Sequence, residues 1–544
     1  MKNALEGGMA KSAFRPMSPA GIGIAVVLAL LALLAVSDAW RVFLSYPLPP
    51  FDSCYVDKPD AAAKRLAAPL LDRSAQTFIF TDTDEGSYLR SVEQWRLGLA
   101  LADSMPWAFR QVSPPVGAGD DYLRIHGIFR ALAERSPATN TEFVSYRSVV
   151  FPLLGVPVVE RLGCNSQSLS VLRQIVFAFR LALPLLVAVL VFLVVENNRW
   201  AKSLAGGVLV AFNDQLSQAA STFMPDVPSV AILLASCIAL AIGHRRRAVG
   251  WFVLGGAMLG VLGLVKFDFI YLVPLALLVA GLCFRRHAFV RRALLAAFAV
   301  YVAIISAYAV RNHALTGRYF VTSKDSVNLW IGNSGQAKSR GYSYGITADE
   351  LPRDLGDFTA GETQTLRAHG LELAVREYFR RRLTGRVLAE PVEVLCGVLD
   401  KAGMVFLNGG VNMYPRLGAA GHGLGIFING LAWAGVACWA ARRWRFGESP
   451  LGAMVVTMYV LSFAVIALVF FLPRYLAHVF TLAIIIAVCF GVDLGRAARL
   501  RARDGAWRKR PGWADGRPEN ASPRLCHTGQ GFAQSRQARQ SIGD

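Results

Sequence analysis

Roughly ten stretches of this 544-residue chain are apolar enough, over the ~17–25 residues required, to cross a bilayer as a helix. They lie near 20–37, 172–195, 203–220, 225–242, 248–265, 269–284, 293–310, 424–441, 451–472 and 475–494. No other feature narrows the fold so far. In lipid every backbone N–H and C=O must be satisfied within the protein, so such segments can only be helices packed side by side. The hydrophobic content of 54% and mean hydropathy of +0.41 suit the same class. The prediction is an all-α polytopic membrane protein.

The net charge of +20 belongs to topology. Basic residues cluster in alternate loops: Arg199 and Lys202; Arg245 to Arg247; Arg285, Arg286, Arg291 and Arg292; Arg442, Arg443 and Arg445; then Arg496 onward. Short loops rich in Lys and Arg stay cytoplasmic. The chain therefore divides into a cytoplasmic N-terminus (1–19), a first helix (20–37), an external loop (38–171), helices two to seven (172–310), a second external loop (311–423), helices eight to ten (424–495) and a basic, disordered cytoplasmic tail (496–544). No basic groove with interleaved aromatics is present, so nucleic acid is excluded as a partner. Ser37-Asp38-Ala39 resembles a cleavage site, but the preceding apolar run is longer than a signal core, and a retained helix is expected.

Both external loops carry amphipathic segments. Tyr88, Val92, Trp95 and Leu99 recur at helical spacing, between the proline breaks at Pro47–Pro50 and Pro114-Pro115. Phe151 to Val159 is apolar but too short to span, and is expected to lie on the membrane or dip into it. The second loop starts irregular and ends helical. Pro391 suits a first helical position, and Val392, Leu395, Leu399, Ala402 and Phe406 form the apolar stripe of a helix expected to lie in the interface against the bundle. Gly256 and Gly260 form a GxxxG that favours close helix packing.

The eight cysteines show no CxxC or Cys/His spacing, so no metal site is argued and no cofactor is required. Cys54 and Cys164 both fall in the first external loop, where a disulfide is stable.

Candidate chemistry gathers in the external loops. Thr81-Asp82-Thr83-Asp84-Glu85-Gly86-Ser87-Tyr88 opens the first stripe. Carboxylates close to a bilayer are costly to desolvate and mark function by default. Asp82, Thr83 or Asp84 can simply cap the helix, with Glu85 complementing its dipole. The same carboxylates suit proton abstraction from an acceptor hydroxyl.

Asp84-Glu85-x-x-Tyr88 resembles the acidic motif of the GT-C membrane glycosyltransferases, in the branch of protein mannosyltransferases and aminoarabinose transferases (glycosyltransferase family 39-like). Two further blocks are similar to that branch: Arg311-Asn312 with Gly317-Arg318-Tyr319-Phe320 and Asn328-Leu329-Trp330-Ile331-Gly332-Asn333, then Pro473-Arg474-Tyr475 before the last helix. Together the three span about 80–495 in the same order. The resemblance implies a GT-C-type bundle of about ten transmembrane helices in a bacterial cytoplasmic membrane. It also implies an external active site, a polyprenyl-phosphate-sugar donor, an inverting transfer and an envelope acceptor that is lipid, glycan or protein. Asp84 is then the base, with Glu85 beside it and Asp82, Tyr88 and Tyr475 as further candidates. A leaving lipid phosphate needs cations, and Arg474, Lys266 and Arg311 all fall at external helix ends, where each can also be a snorkelling charge. Asp226 occupies a turn often acidic in the group, with donor or metal contact or helix capping as its role. Asp268 is expected to pair with Lys266. The stretch from Gly117 to Thr141 has no counterpart in the group.

Two other classes stay open. A transporter or flippase of a lipid-linked glycan predicts polar groups at mid-membrane depth and broken helices. A catalytically inactive relative that only binds glycolipid predicts the same sequence as the enzyme.

Overall fold

The computed structural model describes residues 33–45, 55–57, 76–78, the positions 85, 88, 89, 91, 92 and 96, and 150–508 apart from 196, 286, 340, 343–349, 351, 353–354, 408–411, 442–449 and 470–471. Asp82, Asp84, Cys54, Trp95, Leu99 and the Gly117–Thr141 insertion lie outside the described residues.

The chain is a multi-pass membrane protein built of helices. A helix over 33–44 and a short antiparallel ribbon, β1 (Tyr55–Asp57) with β2 (Gln76–Phe78), Tyr55 opposite Phe78, precede the bundle. Two short helices, Val150–Leu153 and Val156–Leu162, lead into it. The main helices are α1 (Ser166–Val194), α2 (Arg199–Ala211), α3 (Asp214–Ala219), α4 (Asp226–Arg246), α5 (Val249–Val265), α6 (Phe269–Cys283) and α7 (Ala288–Thr316). Then come α8 (Lys324–Asn333), α9 (Ala360–His369), α10 (Leu371–Ala389), α11 (Pro391–Phe406), α12 (Ala419–Ala440), α13 (Pro450–Leu468) and α14 (Leu476–Arg508). Among the described residues, six helices are long and apolar enough to cross a membrane; α5 and α6 are shorter apolar helices. Residues from Asp493 onward form a separate unit, described only to Arg508.

Several boundaries differ from the hydropathy reading, each for a local reason. The first helix continues to residue 44, through Ser37-Asp38-Ala39. α1 begins at Ser166, ahead of residue 172, because Asn165 and Ser168 exchange side-chain-to-backbone hydrogen bonds in a capping box. The expected third span, 203–220, is broken into α2 and α3. The Asn213 side chain accepts from the Leu216 N–H and starts a new helix where the old one should continue. That break frees carbonyls in an apolar setting, and Arg180 of α1 closes it. Its Nη2 lies 2.9–3.2 Å from the carbonyl oxygens of Val210, Ala211 and Asn213, and its Nε donates to Ser217 Oγ. α13 stops at Leu468, short of 472, and α8 makes the second external loop helical well before its end.

The GxxxG face lies on α7. A Cβ on Gly256 would overlap the backbone of Ala297, and one on Gly260 would meet Ile304, so the glycines permit the close approach. Outside the bundle, α8, α9 and α10 close over a small core of their own, around Trp330, Ile331, Leu366 and Phe379.

α11 starts at Pro391 as expected, and the exposure of its residues shows how it is turned. Val392 is 71% exposed and Leu399 61%, while Lys401 on another face is fully buried. The apolar stripe points away from the bundle, to where lipid would cover it, and a cation points inward.

Candidate active site

The first acidic motif is anchored by Glu85. Arg173 of α1 donates from Nε and Nη2 to its two oxygens at 2.8 and 2.7 Å, and the Phe223 N–H donates to Oε1 at 2.6 Å. Such a two-pronged, charge-assisted clamp fixes direction as well as distance. A run of rings continues it: Tyr88 meets Phe151 edge-on at 5.2 Å, and Phe151 stacks on Phe223 at 4.6 Å. Glu85 thus fastens the motif to α1 and to the turn before α4, and Tyr88 is held next to Asp226.

A cavity of about 90 Å³ opens there. Tyr88, Asp226, Lys266, Arg474 and Tyr475 all line it. These five come from four distant parts of the sequence, and all five had been singled out by sequence. Lys266 Nζ donates to Asp226 Oδ1 at 2.7 Å, with both side chains buried. This corrects the expected Lys266–Asp268 pair. Lys266 also lies 4.8 Å from the centre of the Tyr475 ring, and the Arg474 guanidinium 5.5 Å from it, so one aromatic face serves two cations.

Arg311 is not brought into this cavity. Its guanidinium donates to Asn312 Oδ1 at 2.8 Å and lies over the Tyr308 ring. The block around it is a helix terminus. Gly317, at φ 74°, caps α7 in the left-handed region, Asn312 Nδ2 donates to the Phe320 carbonyl, and His313 stacks on Tyr319 at 4.1 Å. The following block is α8, which sends Asn328 to the cavity and Trp330 into the small core.

Sequence reasoning missed three lining residues and read a fourth, Asp268, only as a partner for Lys266. Lys324 and Asp325 open α8, and Asp268 and Tyr271 flank the start of α6. Thr322-Ser323 ahead of an apolar-periodic segment was the available signal for that helix start. Asp325 takes both prongs of Arg376 at 3.1 and 2.9 Å. Asp268 differs. Removal from water pushes its carboxyl above the usual carboxylate range, against the pull of Lys266 and Lys324. Arg173 and Arg180 were visible as charges seven residues apart in an apolar span, the spacing of one helix face.

The walls therefore hold three cations, Lys266, Lys324 and Arg474, set among carboxylates and rings, and one carboxyl with an upward-shifted pKa. The arrangement suits binding a small anion next to a proton acceptor. Among the described residues no cluster of His, Cys, Asp and Glu is arranged to hold a metal ion. Cys164 is disulfide-bonded, with a partner outside the described residues.

No protein-family model and no curated protein sequence matches the chain. Two kinds of solved structure resemble it. One is the archaeal oligosaccharyltransferase AglB of Archaeoglobus fulgidus, solved with an inhibitory peptide and a dolichol-phosphate. It is 14% identical with a TM-score of 0.40, over 80% of this chain and 52% of that one. The other is ArnT of Cupriavidus metallidurans, solved in the apo state and bound to undecaprenyl phosphate. Both forms are 14% identical with a TM-score of 0.30, covering 87% and 88% of this chain and 78% of that one. The chain spans about half the length of the oligosaccharyltransferase it matches. Identities and TM-scores this low assign no role to any residue of this chain.

Proposed function

We propose that this protein is a membrane glycosyltransferase that moves a sugar from a polyprenyl-phosphate donor to an envelope acceptor, on the external face of a bacterial cytoplasmic membrane. The observation that carries the proposal is the convergence of Tyr88, Asp226, Lys266, Arg474 and Tyr475 on one cavity. A protein with no chemistry to perform has no reason to gather buried cations and carboxyls from four segments against the desolvation cost.

The reaction is a single displacement. The acceptor hydroxyl oxygen attacks the anomeric carbon, and its proton passes to a carboxylate, Asp84 by motif or Asp268 by position. The bond from that carbon to the phosphate oxygen breaks, and the lipid phosphate leaves with the electron pair. Arg474 and Lys324 supply positive charge at the cavity. Lys266, neutralised by Asp226, is better suited to hold the wall and the Tyr475 ring in place than to take the full phosphate charge.

Polar chemistry at the break between α2 and α3 is the one feature that a transporter would share. Arg180 there is already committed to the carbonyls it closes, which leaves the break a structural joint.

The test is turnover and donor-lipid binding by purified Arg474→Ala and Arg474→Lys. Removing one donor to a developing oxyanion costs about 2.7–4 kcal/mol, on the order of 10²–10³ in rate. Lys keeps the charge but loses the planar fork, so it should rescue only in part. Near-native turnover in both variants would overturn the phosphate role. Transbilayer movement of the donor with no sugar transferred would favour the transporter.

A further inference from the structure

A second and larger cavity, of about 350 Å³, lies at the opposite end of α8 from the first. α8 has ten residues, so the two are about 15 Å apart along it. Asn333, Lys338 and Tyr342 line one side, and Arg386, Glu393 and Asp400 the other.

The charges on these walls cancel in pairs. Arg386 Nη2 meets Glu393 at 2.9 Å, Lys338 meets Asp400 at 3.6 Å, and the Tyr342 hydroxyl donates to Asp400 at 2.9 Å. The formal charges of the lining side chains therefore balance, and the buried Lys401 amine lies 5.7 Å from the centre of the Tyr342 ring. What remains is one donor, Arg386 Nε, and the spare lone pairs of the Tyr342 hydroxyl and of the Asp400 and Glu393 carboxylates, around an aromatic ring. Gly397 adds no side chain and its Cα faces that ring, and Gly335 leaves the opposite wall bare against Arg386. Arg386 Nε is buried with no hydrogen-bond partner among the described residues. Tyr342 itself sits at φ 57°, in the left-handed region that favours glycine, a conformation found where surrounding structure holds a residue for use.

A ligand suited to such walls is neutral, rich in hydroxyls that both give and take hydrogen bonds, and apolar on one face. That is the chemistry of a sugar ring. We propose that this cavity binds a neutral sugar residue of the acceptor, which makes the acceptor a glycan. The inference rests on the transferase reading above. A site set back from the phosphate cavity by the length of α8 grips the acceptor away from the attacked hydroxyl. Binding of that remote kind holds the reacting group in position.

The native thiol of Cys396 lines this cavity and is exposed, so it reports occupancy. The experiment follows maleimide labelling of Cys396 in the purified full-length protein by peptide mass spectrometry. Mannose, glucose and N-acetylglucosamine trisaccharides are the probes, and Cys283, the other exposed free thiol among the described residues, is the control. A sugar at about twice its dissociation constant slows labelling about threefold by mass action. The expected result is slowing by at least one trisaccharide at Cys396 and not at Cys283. Gly397→Leu, which fills the space beside Tyr342 without adding charge, should abolish that protection. No slowing by any of the three sugars overturns the proposal, as does slowing by inorganic phosphate alone. Retention of undecaprenyl phosphate is measured on the same samples. Lipid binding that Arg474→Ala loses, together with no sugar protection, removes this inference and leaves the transferase reading standing. Sugar protection with no lipid phosphate retained leaves a sugar site in this cavity but removes the transferase reading, and with it the assignment of that sugar to an acceptor.

Discussion

Lys266 donates to Asp226 at 2.7 Å across forty residues of sequence, and neither side chain reaches water. The pair joins the end of α5 to the start of α4, so it is a brace as well as a cavity wall. Removing one partner of a buried pair strands the other charge, at about 3–5 kcal/mol, whereas removing both costs far less. Asp226→Asn and Lys266→Met should each lower the unfolding temperature in detergent, and the double variant should recover most of the loss. Additive single effects would show that the two do not act as a pair.

Glu85 and Asp84 are adjacent in sequence, yet the clamp on Glu85 and the proposed role of Asp84 as base predict different effects for the loss of each. Glu85→Gln breaks the clamp from Arg173, so its effect should fall on stability, and turnover per folded molecule should suffer less. Arg173→Met added to it should restore part of the unfolding temperature. Asp84→Asn should leave that temperature near wild type and abolish transfer. If Glu85→Gln is as stable as wild type and inactive, Glu85 belongs to the chemistry and not to the scaffold.

Spans were legible because a bilayer core demands unbroken apolar length, and that demand is written locally. The break at Asn213 was not legible, because a hydropathy average passes over a single capping amide. Glu85 was legible as a catalytic candidate and as a dipole complement, but its clamp was not, because the partner lies 88 residues away. The stripe of α11 was legible but the way it is turned was not, since lipid and protein cores ask for the same residues. At the cavity, the basic and acidic residues at helix ends could be picked out singly. Their meeting could not be read, because it depends on how α4, α5, α8 and the 473–475 turn are docked.

Asp268 offers a test by pH. Its carboxyl titrates above the usual carboxylate value because it is withdrawn from water. A folded pKa raised above the unfolded one gives stability that is full below the unfolded value, about 3.9, and is lost as pH rises through the folded value. Asp268→Asn should therefore be more stable than wild type at neutral pH, with the gap closing in acid. If Asp268 is also the proton acceptor, the acid limb of kcat/KM should lie above the ordinary carboxylate range and vanish in that variant along with most activity. A more stable, fully active Asp268→Asn would return the base to Asp84.

Lys401 is a buried cation that forms no ion pair among the described residues. Its amine donates to the carbonyls of Gly332 and Val469 at 2.7 and 2.8 Å and to Asn333 Oδ1 at 3.0 Å. Those acceptors end α8 and follow α13, where helix dipoles turn their negative ends outward, and that is what makes the charge tolerable. The amine thus ties α11 both to the helix that separates the two cavities and to the segment that leads into Arg474. Lys401→Met should strand three acceptors, at about 1–3 kcal/mol for each group left unsatisfied. It should also lower turnover through Arg474 without touching substrate. Burial pulls the amine down to about 8, while the unfolded chain keeps its proton to about 10.4. A lowered folded pKa means stability that is full above the unfolded value and is lost as pH falls through the folded one. The advantage of wild type over Lys401→Met in unfolding temperature should therefore widen as pH is raised from 8 toward 10. A constant gap would mean that the amine keeps its proton throughout, and that three hydrogen bonds outweigh the missing counter-ion.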